Sequence, residues 1–499
     1  MDKTNGFKNI GSGIIAQIIT IGLGIVIPRL VLVNLGSEAN GLLNSVGNIL
    51  GYMTLLEAGV GTASLQALYK PIACDDKPSI NHIISATHYF YKRTGYIYGA
   101  LVVILSFVYT LAIKTELPKL DVFLVVLLSG MSGVLSYFFQ GKYKILLSAE
   151  GKGYIQTNIA TLFTIGVSIS KIILLLNGFN VVALQIMYFC FNLIQMLAIV
   201  VYIRKKYKWL NLHVDPDFEA IYQRKAVLIH QISGLIFGNT DILILTFFAS
   251  LKDVSVYSMY ALIYGMIKWL VVVVYSSFDY ALGQTFHDKP RFNRLFDVYE
   301  LYTMAASTAL FSITLVLIIP FMKLYTAGVT DVNYIDHKVA LLFTVYYIMH
   351  YGRTGSGTVI NIAQEFEGTK WRAVAEMAIN IIASIVLVIK FGIYGVLGGT
   401  ILALLYRTND MIFYAARILE RSPLVAYKRW GINIGLAIIV VALSSFINPC
   451  ITNYLDWIAY AVAISIVVIP LFIVVNMIFE PVLREFGMTT LKDLFKKGI

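Results

Sequence analysis

Apolar runs of about 20 residues recur from one end of this 499-residue chain to the other, and no other feature constrains the fold as tightly. A helix of about 20 apolar residues, rising 1.5 Å per residue, crosses the hydrocarbon of a bilayer. Fourteen such runs can be read, at roughly 10–33, 40–66, 94–113, 121–141, 154–176, 181–203, 226–249, 254–282, 299–323, 339–363, 371–390, 394–416, 431–448 and 454–478. The ten-residue alternation of a membrane β-barrel is absent. Only 13% of residues are charged, against about 25% in a soluble domain. The expected fold class is therefore an all-α polytopic membrane protein with about fourteen transmembrane helices. Met1 to Asn9 is polar and the first run is long enough to stay in the membrane, so no cleaved leader is expected.

The net charge is +11, which in a soluble protein would suggest nucleic acid. Here the basic residues lie between apolar runs, so topology explains them and no nucleic-acid partner is expected. With the N-terminus placed inside, and span-end residues counted with the adjoining connection, 29 of the 39 Lys and Arg fall inside and 6 outside. Arg29, Lys171, Lys268 and Arg407 lie within runs. That asymmetry supports fourteen spans with both termini cytoplasmic. The most basic connection splits the chain, giving an expected N-terminal six-helix lobe at 1–203 and a cytoplasmic linker at 204–225. A second six-helix lobe at 226–419 follows, then two additional helices and a basic tail at 420–499. The halves read as a weak internal repeat at an offset of 214: Gln17 matches Gln231, and Leu35-Gly36-Ser37 falls on Ala249-Ser250-Leu251. Two six-span repeats plus two spans is a transporter-like organisation.

Several segments resemble the Wzx-type polysaccharide flippases of the multidrug/oligosaccharidyl-lipid/polysaccharide (MOP) exporter superfamily. Pro28-Arg29, Leu35-Gly36 and Gly41-Leu42 are similar to the opening of that family. LLEAGVGTASLQALYKPIACDD, from Leu55, resembles its second span and following loop. NTDILILTFFASLKDVSVYSMYALI, from Asn239, resembles the passage from span 7 to span 8. WRAVAEMAINIIASIVLVIKFGIYGVLGGTILA, from Trp371, resembles spans 11 and 12. The resemblance implies two pseudo-symmetric six-helix lobes around a central cavity, two further helices, and a bacterial plasma-membrane location. It also implies export of oligosaccharide repeat units carried on undecaprenyl diphosphate, with membrane lipids and polysaccharide polymerase machinery as partners. Lipid II flippases share fourteen spans, and cation-coupled multidrug exporters of the same superfamily normally have twelve, so both remain alternatives.

The substrate class that the resemblance implies carries a diphosphate and often acidic sugars, which suits a cationic lumen that Arg29, Lys171, Lys268 and Arg407 could line. Lys171 and Lys268 lie too deep to snorkel, whereas Arg29 fits an interfacial anchor equally well. Arg407 and Asp410, three apart on one helix, are expected to neutralise each other. Glu57, followed by the small residues Gly59, Gly61 and Ala63, and Asp241 could couple an ion gradient or simply bond neighbouring helices, and Asp410 is a third ion-coupling candidate. Glu376, His230 and His350 are weaker candidates, and Tyr257, Tyr260 and Tyr264, on one helix face, fit packing better than sugar stacking. Pro28, Pro320 and Pro470 could kink their spans. Spans 13 and 14 hold no Lys, Arg or Glu, which fits a lipid-facing groove for a polyprenyl tail and also plain bilayer packing. Cys74, Cys190 and Cys450 have no metal-ligand or redox spacing, and neither a cofactor nor a metal is expected. No nucleophile motif, paired carboxylates or ATP-binding loop is present. The longest outer loop, Leu324 to Lys338, is too short to build a polymerase or ligase site, so an enzyme is not expected. Cysteine scanning checks the topology: Lys252→Cys should label from outside and Lys206→Cys only from inside, and the reverse at either position contradicts it.

Overall fold

The computed structural model describes residues 3–56, 60–219 and 240–480, except 448 and 450. Glu57, Gly59, His230 and Cys450 lie outside the described residues. Every described element is helical, and no strand occurs among the described residues. In chain order the helices are α1 (Lys3–Met53), α2 (Val60–Ala73), α3 (Lys77–Ala112), α4 (Lys119–Phe139), α5 (Gly141–Ala149), α6 (Gly153–Leu176), α7 (Val181–Lys206) and α8 (240–248). They continue with α9 (Leu251–Thr285), α10 (Lys289–Tyr325), α11 (His337–Gly352), α12 (Thr354–Ile362), α13 (Phe366–Phe391), α14 (Ile393–Ile418), α15 (Leu424–Ser444) and α16 (Tyr454–Phe479). Ten helices among the described residues are long and apolar enough to cross a membrane. Their outer faces carry exposed side chains such as Leu111, Leu455 and Ile478, as hydrocarbon contact requires. The chain is a multi-pass membrane protein.

The helix starts are written in the sequence. Asp76 accepts from Ser79 N, Asn180 from Ala183 N and Asp336 from Val339 N, each satisfying an amide that has no partner in the first turn. The breaks matter more. α1 spans two of the expected runs, and Gly36 separates them with φ 82° and ψ 175°, a conformation open to glycine at little cost. Asp331 caps the restart, accepting from both the amide and the hydroxyl of Ser37 at 2.8 Å. The corresponding break 214 residues on separates α8 from α9 at Ala249-Ser250, where the repeat predicts it. A second pair of breaks was not anticipated: α4 gives way to α5 at Gln140, and α11 to α12 at Arg353, 213 residues later.

The chain forms two compact units: residues 1–255 with 328–332, and residues 256–327 with 333–499. In the first unit, α4 packs on α3 and α7, and α6 packs on α1 and α7. The segment after α7 is strapped along the start of α3. Ser85 donates to the carbonyls of Leu212 and Val214, Asn81 pairs with Asn211, and Phe218 sits edge-on to Tyr89 and Phe90. The basic linker is thus bound to the first unit as far as residue 218.

In the second unit, α10 is buried along most of its length, against α11, α15 and α16. Tyr260, Tyr264 and Tyr275 on α9 each donate to a backbone carbonyl 76 residues on, at Asp336, Ala340 and Tyr351, which zips α9 to α11. Helices in lipid gain little from the hydrophobic effect and associate through close backbone contact. α13 and α14 meet this way: a Cβ at Gly399 would stand 2.4 Å from Ser384 Oγ, and one at Gly395 2.3 Å from the Leu387 carbonyl oxygen.

Candidate functional site

A chamber of about 540 Å³ with mixed polar and apolar walls opens inside the first unit, between α1, α3, α4, α6 and α7. Its α4 wall presents Ser129, Ser132 and Ser136 at helical spacing, and Gly133 beside them lets the Tyr98 hydroxyl come close. Gln140 stands at the α4–α5 break, and Lys144 follows on α5. From α6 comes Lys171, and from α7 come Gln185, Tyr188 and Asn192. The Lys171 ammonium lies 5.2 Å from the centre of the Tyr188 ring, an arrangement that partly replaces lost water. Among the described residues no carboxylate pairs with Lys171.

The two glutamines carry the most information. Both are buried, at 4% exposure for Gln140 and 7% for Gln185. Gln140 Nε2 donates to Ser136 Oγ at 3.0 Å, and Gln185 Nε2 donates to Ser129 Oγ. Ser129 already gives its proton to the Val125 carbonyl at 2.5 Å, so its oxygen can only accept. That fixes the Gln185 amide with its nitrogen on the serine and its oxygen free. Both Oε1 atoms lack a hydrogen-bond partner within the chain among the described residues. A buried acceptor left unsatisfied costs about 1–3 kcal/mol.

The second unit handles charge in the opposite way. Arg353, at the α11–α12 break, meets Glu376 Oε1 at 2.6 Å, and Arg407 Nε lies 3.5 Å from Glu376 Oε2. Arg407 also binds Asp410 at 2.6 Å, and Arg372 takes the other Asp410 oxygen while resting over Tyr414. The expected Arg407–Asp410 pair is present, inside a larger network that the sequence alone did not assemble. A second network joins α10 to the start of α15. Arg421 meets Asp297 at 2.6 Å and Glu300 at 2.9 Å. Arg429, only 2% exposed, binds Asp297 at 2.7 Å and Glu300 as well. Asn433 and Asn476 donate to each other at 3.1 and 3.0 Å and tie α15 to α16.

The remaining candidates are scattered. Arg29 is half-buried on α1, and Lys268 is exposed on α9 beside Trp269. Asp241 is buried in α8, next to Thr240, whose hydroxyl meets Tyr52 at 3.1 Å. Glu57 falls outside the described residues. Tyr257, Tyr260 and Tyr264 are buried against Phe343, in packing positions. An apolar groove of about 760 Å³ runs between α10, α11, α14 and α15, lined by Leu315, Leu341, Ile348, Ile412, Ile438 and Val441. Of the two additional helices, α15 lines this groove, while α16 packs on α10. Gln140 and Gln185 were missed by sequence reasoning. The available signal was the serine face of span 4 opposite an amide early in span 6.

No family model matches the chain, and no curated protein matches it. Solved structures do. A lipid II flippase, MurJ, in an inward closed conformation superposes with a TM-score of 0.71 at 15% identity, over 93% of this chain and 98% of the other. An inward-facing multidrug resistance MATE family transporter of the MOP superfamily gives 0.64 at 13% identity, over 80% of this chain and 94% of that one. The MATE multidrug transporter DinF-BH in complex with R6G gives 0.55 at 12% identity, over 85% and 97%. The chain has the fold of MOP superfamily transporters. These neighbours are transporters and flippases rather than enzymes.

Removing one member of a buried ion network leaves its partners charged and unpaired. Glu376→Gln removes the carboxylate that Arg353 and Arg407 share and should destabilise the detergent-solubilised protein by about 3 kcal/mol. The melting temperature reads this directly, and an unchanged value would show that the network contributes nothing to stability.

Proposed function

We propose that the chain is a flippase that exports undecaprenyl-diphosphate-linked oligosaccharide repeat units for cell-surface polysaccharide synthesis, such as O-antigen or capsule. It moves them by alternating access from the cytoplasmic to the outer leaflet of the bacterial plasma membrane. The observation that carries this reading is the chamber of the first unit, where lysine, amide and hydroxyl groups stand among apolar side chains. Polyhydroxylated substrates need many short-range donors and acceptors. A cationic amphiphile needs the reverse, an apolar pocket with a carboxylate, and Lys171 would repel it. The apolar groove of the second unit offers a surface for an isoprenoid chain. The segments that resemble Wzx-type flippases point the same way. In this reading Arg29, Lys171 and Lys268 attract the anionic part of the substrate, whereas Arg407 serves the ion network. Two six-span halves alternate access, and polymerase machinery that consumes the product draws transport forward.

The likeness to a lipid II flippase over nearly the whole chain makes lipid II the second candidate substrate. Energy enters through an ion gradient, the membrane potential or product consumption, and Glu57 and Asp241 are the acids assigned to ion coupling. Neutralising a buried acid removes a charge whose burial costs several kcal/mol, enough to bias two conformations of similar energy.

Reconstituted vesicles decide among the substrates. A lipid-linked oligosaccharide repeat unit should cross to the far leaflet, a cationic dye should not, and lipid II should cross more slowly. With an imposed gradient, Glu57→Gln together with Asp241→Asn should lose the gradient response. Export of the dye alone, or of lipid II alone, would reject the assignment.

A further inference from the structure

The first turn of a helix leaves its amides without partners, and the residue just before it normally supplies an acceptor. Where α1 restarts after its break, that residue is Gly36, which has no side chain to offer. The acceptor comes instead from Asp331, 294 positions away in the chain. One oxygen of its carboxylate accepts from the Ser37 amide at 2.8 Å, and the other accepts from the Ser37 hydroxyl at 2.8 Å. Its negative charge also faces the positive end of the restarted helix. The fit is close: a Cβ on Gly36 would stand 3.4 Å from Asp331 Oδ2. Ser37 is fully buried, whereas Asp331 is exposed to water.

Asp331 stands on the connection between α10 and α11, and both ends of that connection are tied to helices of the second unit. Thr326 donates to the Met322 carbonyl at 2.8 Å, and Tyr260 donates to the carbonyls of Tyr334 and Asp336 at 2.9 and 3.1 Å. Residues 328–332 nevertheless group with the first unit, while 327 and 333 group with the second. A cap drawn from a helix's own sequence travels with the helix. This one sits on a segment whose neighbours on both sides belong to the other unit, so it lasts only while that segment stays in place. Asp331 makes no ion pair among the described residues: Lys252, within electrostatic reach of it, pairs with Glu116 instead, at 3.3 Å. The two bonds to Ser37 are therefore its whole polar attachment among the described residues. Because water reaches the carboxylate, water can also take over the amide that it leaves.

We propose that Asp331 is a detachable helix cap: it fastens the α10–α11 connection to the break in α1 in the present conformation, and the pair separates once in every transport cycle. The proposal rests on the reading of the chain as an alternating-access transporter, and it deepens that reading by naming a bond that the cycle must break. The long reach of the bond is the decisive detail. Once the connection has left, Gly36 carries no side-chain acceptor that could restore the cap locally.

The test uses the full chain in vesicles, in a parent protein carrying Cys74→Ser, Cys190→Ser and Cys450→Ser. Ser37→Cys with Asp331→Cys, joined by a short reducible bifunctional thiol reagent, should export a lipid-linked oligosaccharide at least tenfold more slowly than the same variant unjoined. Reductant should restore the rate. Hydrogen exchange reads the cap without reference to transport. In Asp331→Ala the amides of Ser37 and Glu38 should exchange at least tenfold faster than in the parent protein. In Asp331→Asn, which keeps an acceptor, they should stay within twofold of it. A melting temperature equal to that of the parent protein shows that a variant has kept its fold. Should the double cysteine variant fail to fold, detachment is read in the parent protein, where the same amides should exchange faster during transport than at rest. Export at the parent rate from the joined protein, failure of the two cysteines to join in a folded variant, exchange in Asp331→Ala equal to the parent's, or exchange unchanged by transport would each overturn the detachable cap. No export from the unjoined protein rejects the transport reading, and the exchange of Asp331→Ala still decides whether the cap exists.

Discussion

A hydrogen-bonding or charged group surrounded by hydrocarbon has no water to satisfy it, and the interior of this protein is organised by that constraint. The second unit answers with networks of paired charges. Arg353, Arg372 and Arg407 share Glu376 and Asp410, and Arg421 and Arg429 share Asp297 and Glu300. The planar guanidinium, with donors on a fixed fork, can bind two carboxylates at once where a lysine ammonium presents a single point charge. In the first unit Lys171 stands on a chamber with no carboxylate paired to it among the described residues, and the side-chain oxygens of Gln140 and Gln185 are buried.

The internal repeat sharpens this contrast. Gln140 and Arg353 occupy corresponding positions, each at a helix break 213 residues from the other. Arg353 is answered by Glu376, whose counterpart at the same offset is Phe163. Arg407 and Asp410 correspond to Ile194 and Leu197, again apolar. The two breaks thus carry two chemistries: Arg353 is held in an ion network, and Gln140 is a buried neutral amide.

Much of the fold is legible in the sequence because hydrocarbon imposes length and polarity on every span. The runs at 121–141, 154–176, 181–203 and 454–478 fall on α4, α6, α7 and α16 to within a few residues. The break at Gly36 was also readable, since Leu35-Gly36-Ser37 interrupts an apolar run. The breaks at Gln140 and Arg353 were not, because neither residue is a helix breaker and tertiary partners decide there. The Arg407–Asp410 pair was legible from a spacing of three, which puts both on one face. Its extension to Glu376 and Arg353 was hidden, because contacts between helices leave no trace in local periodicity. The orphaned glutamine oxygens were hidden for the same reason: an amide in a span shows only that a partner is needed.

The division between scaffold and site can be measured in one preparation by recording melting temperature and vesicle export side by side for two variants, Lys171→Met and Arg429→Met. The account predicts that Lys171→Met keeps the parent melting temperature and loses most of the export of a lipid-linked oligosaccharide. It also predicts that Arg429→Met, which leaves Asp297 and Glu300 to Arg421, melts several degrees lower. Full export from Lys171→Met, or a melting temperature lowered as far as that of Arg429→Met, would contradict it.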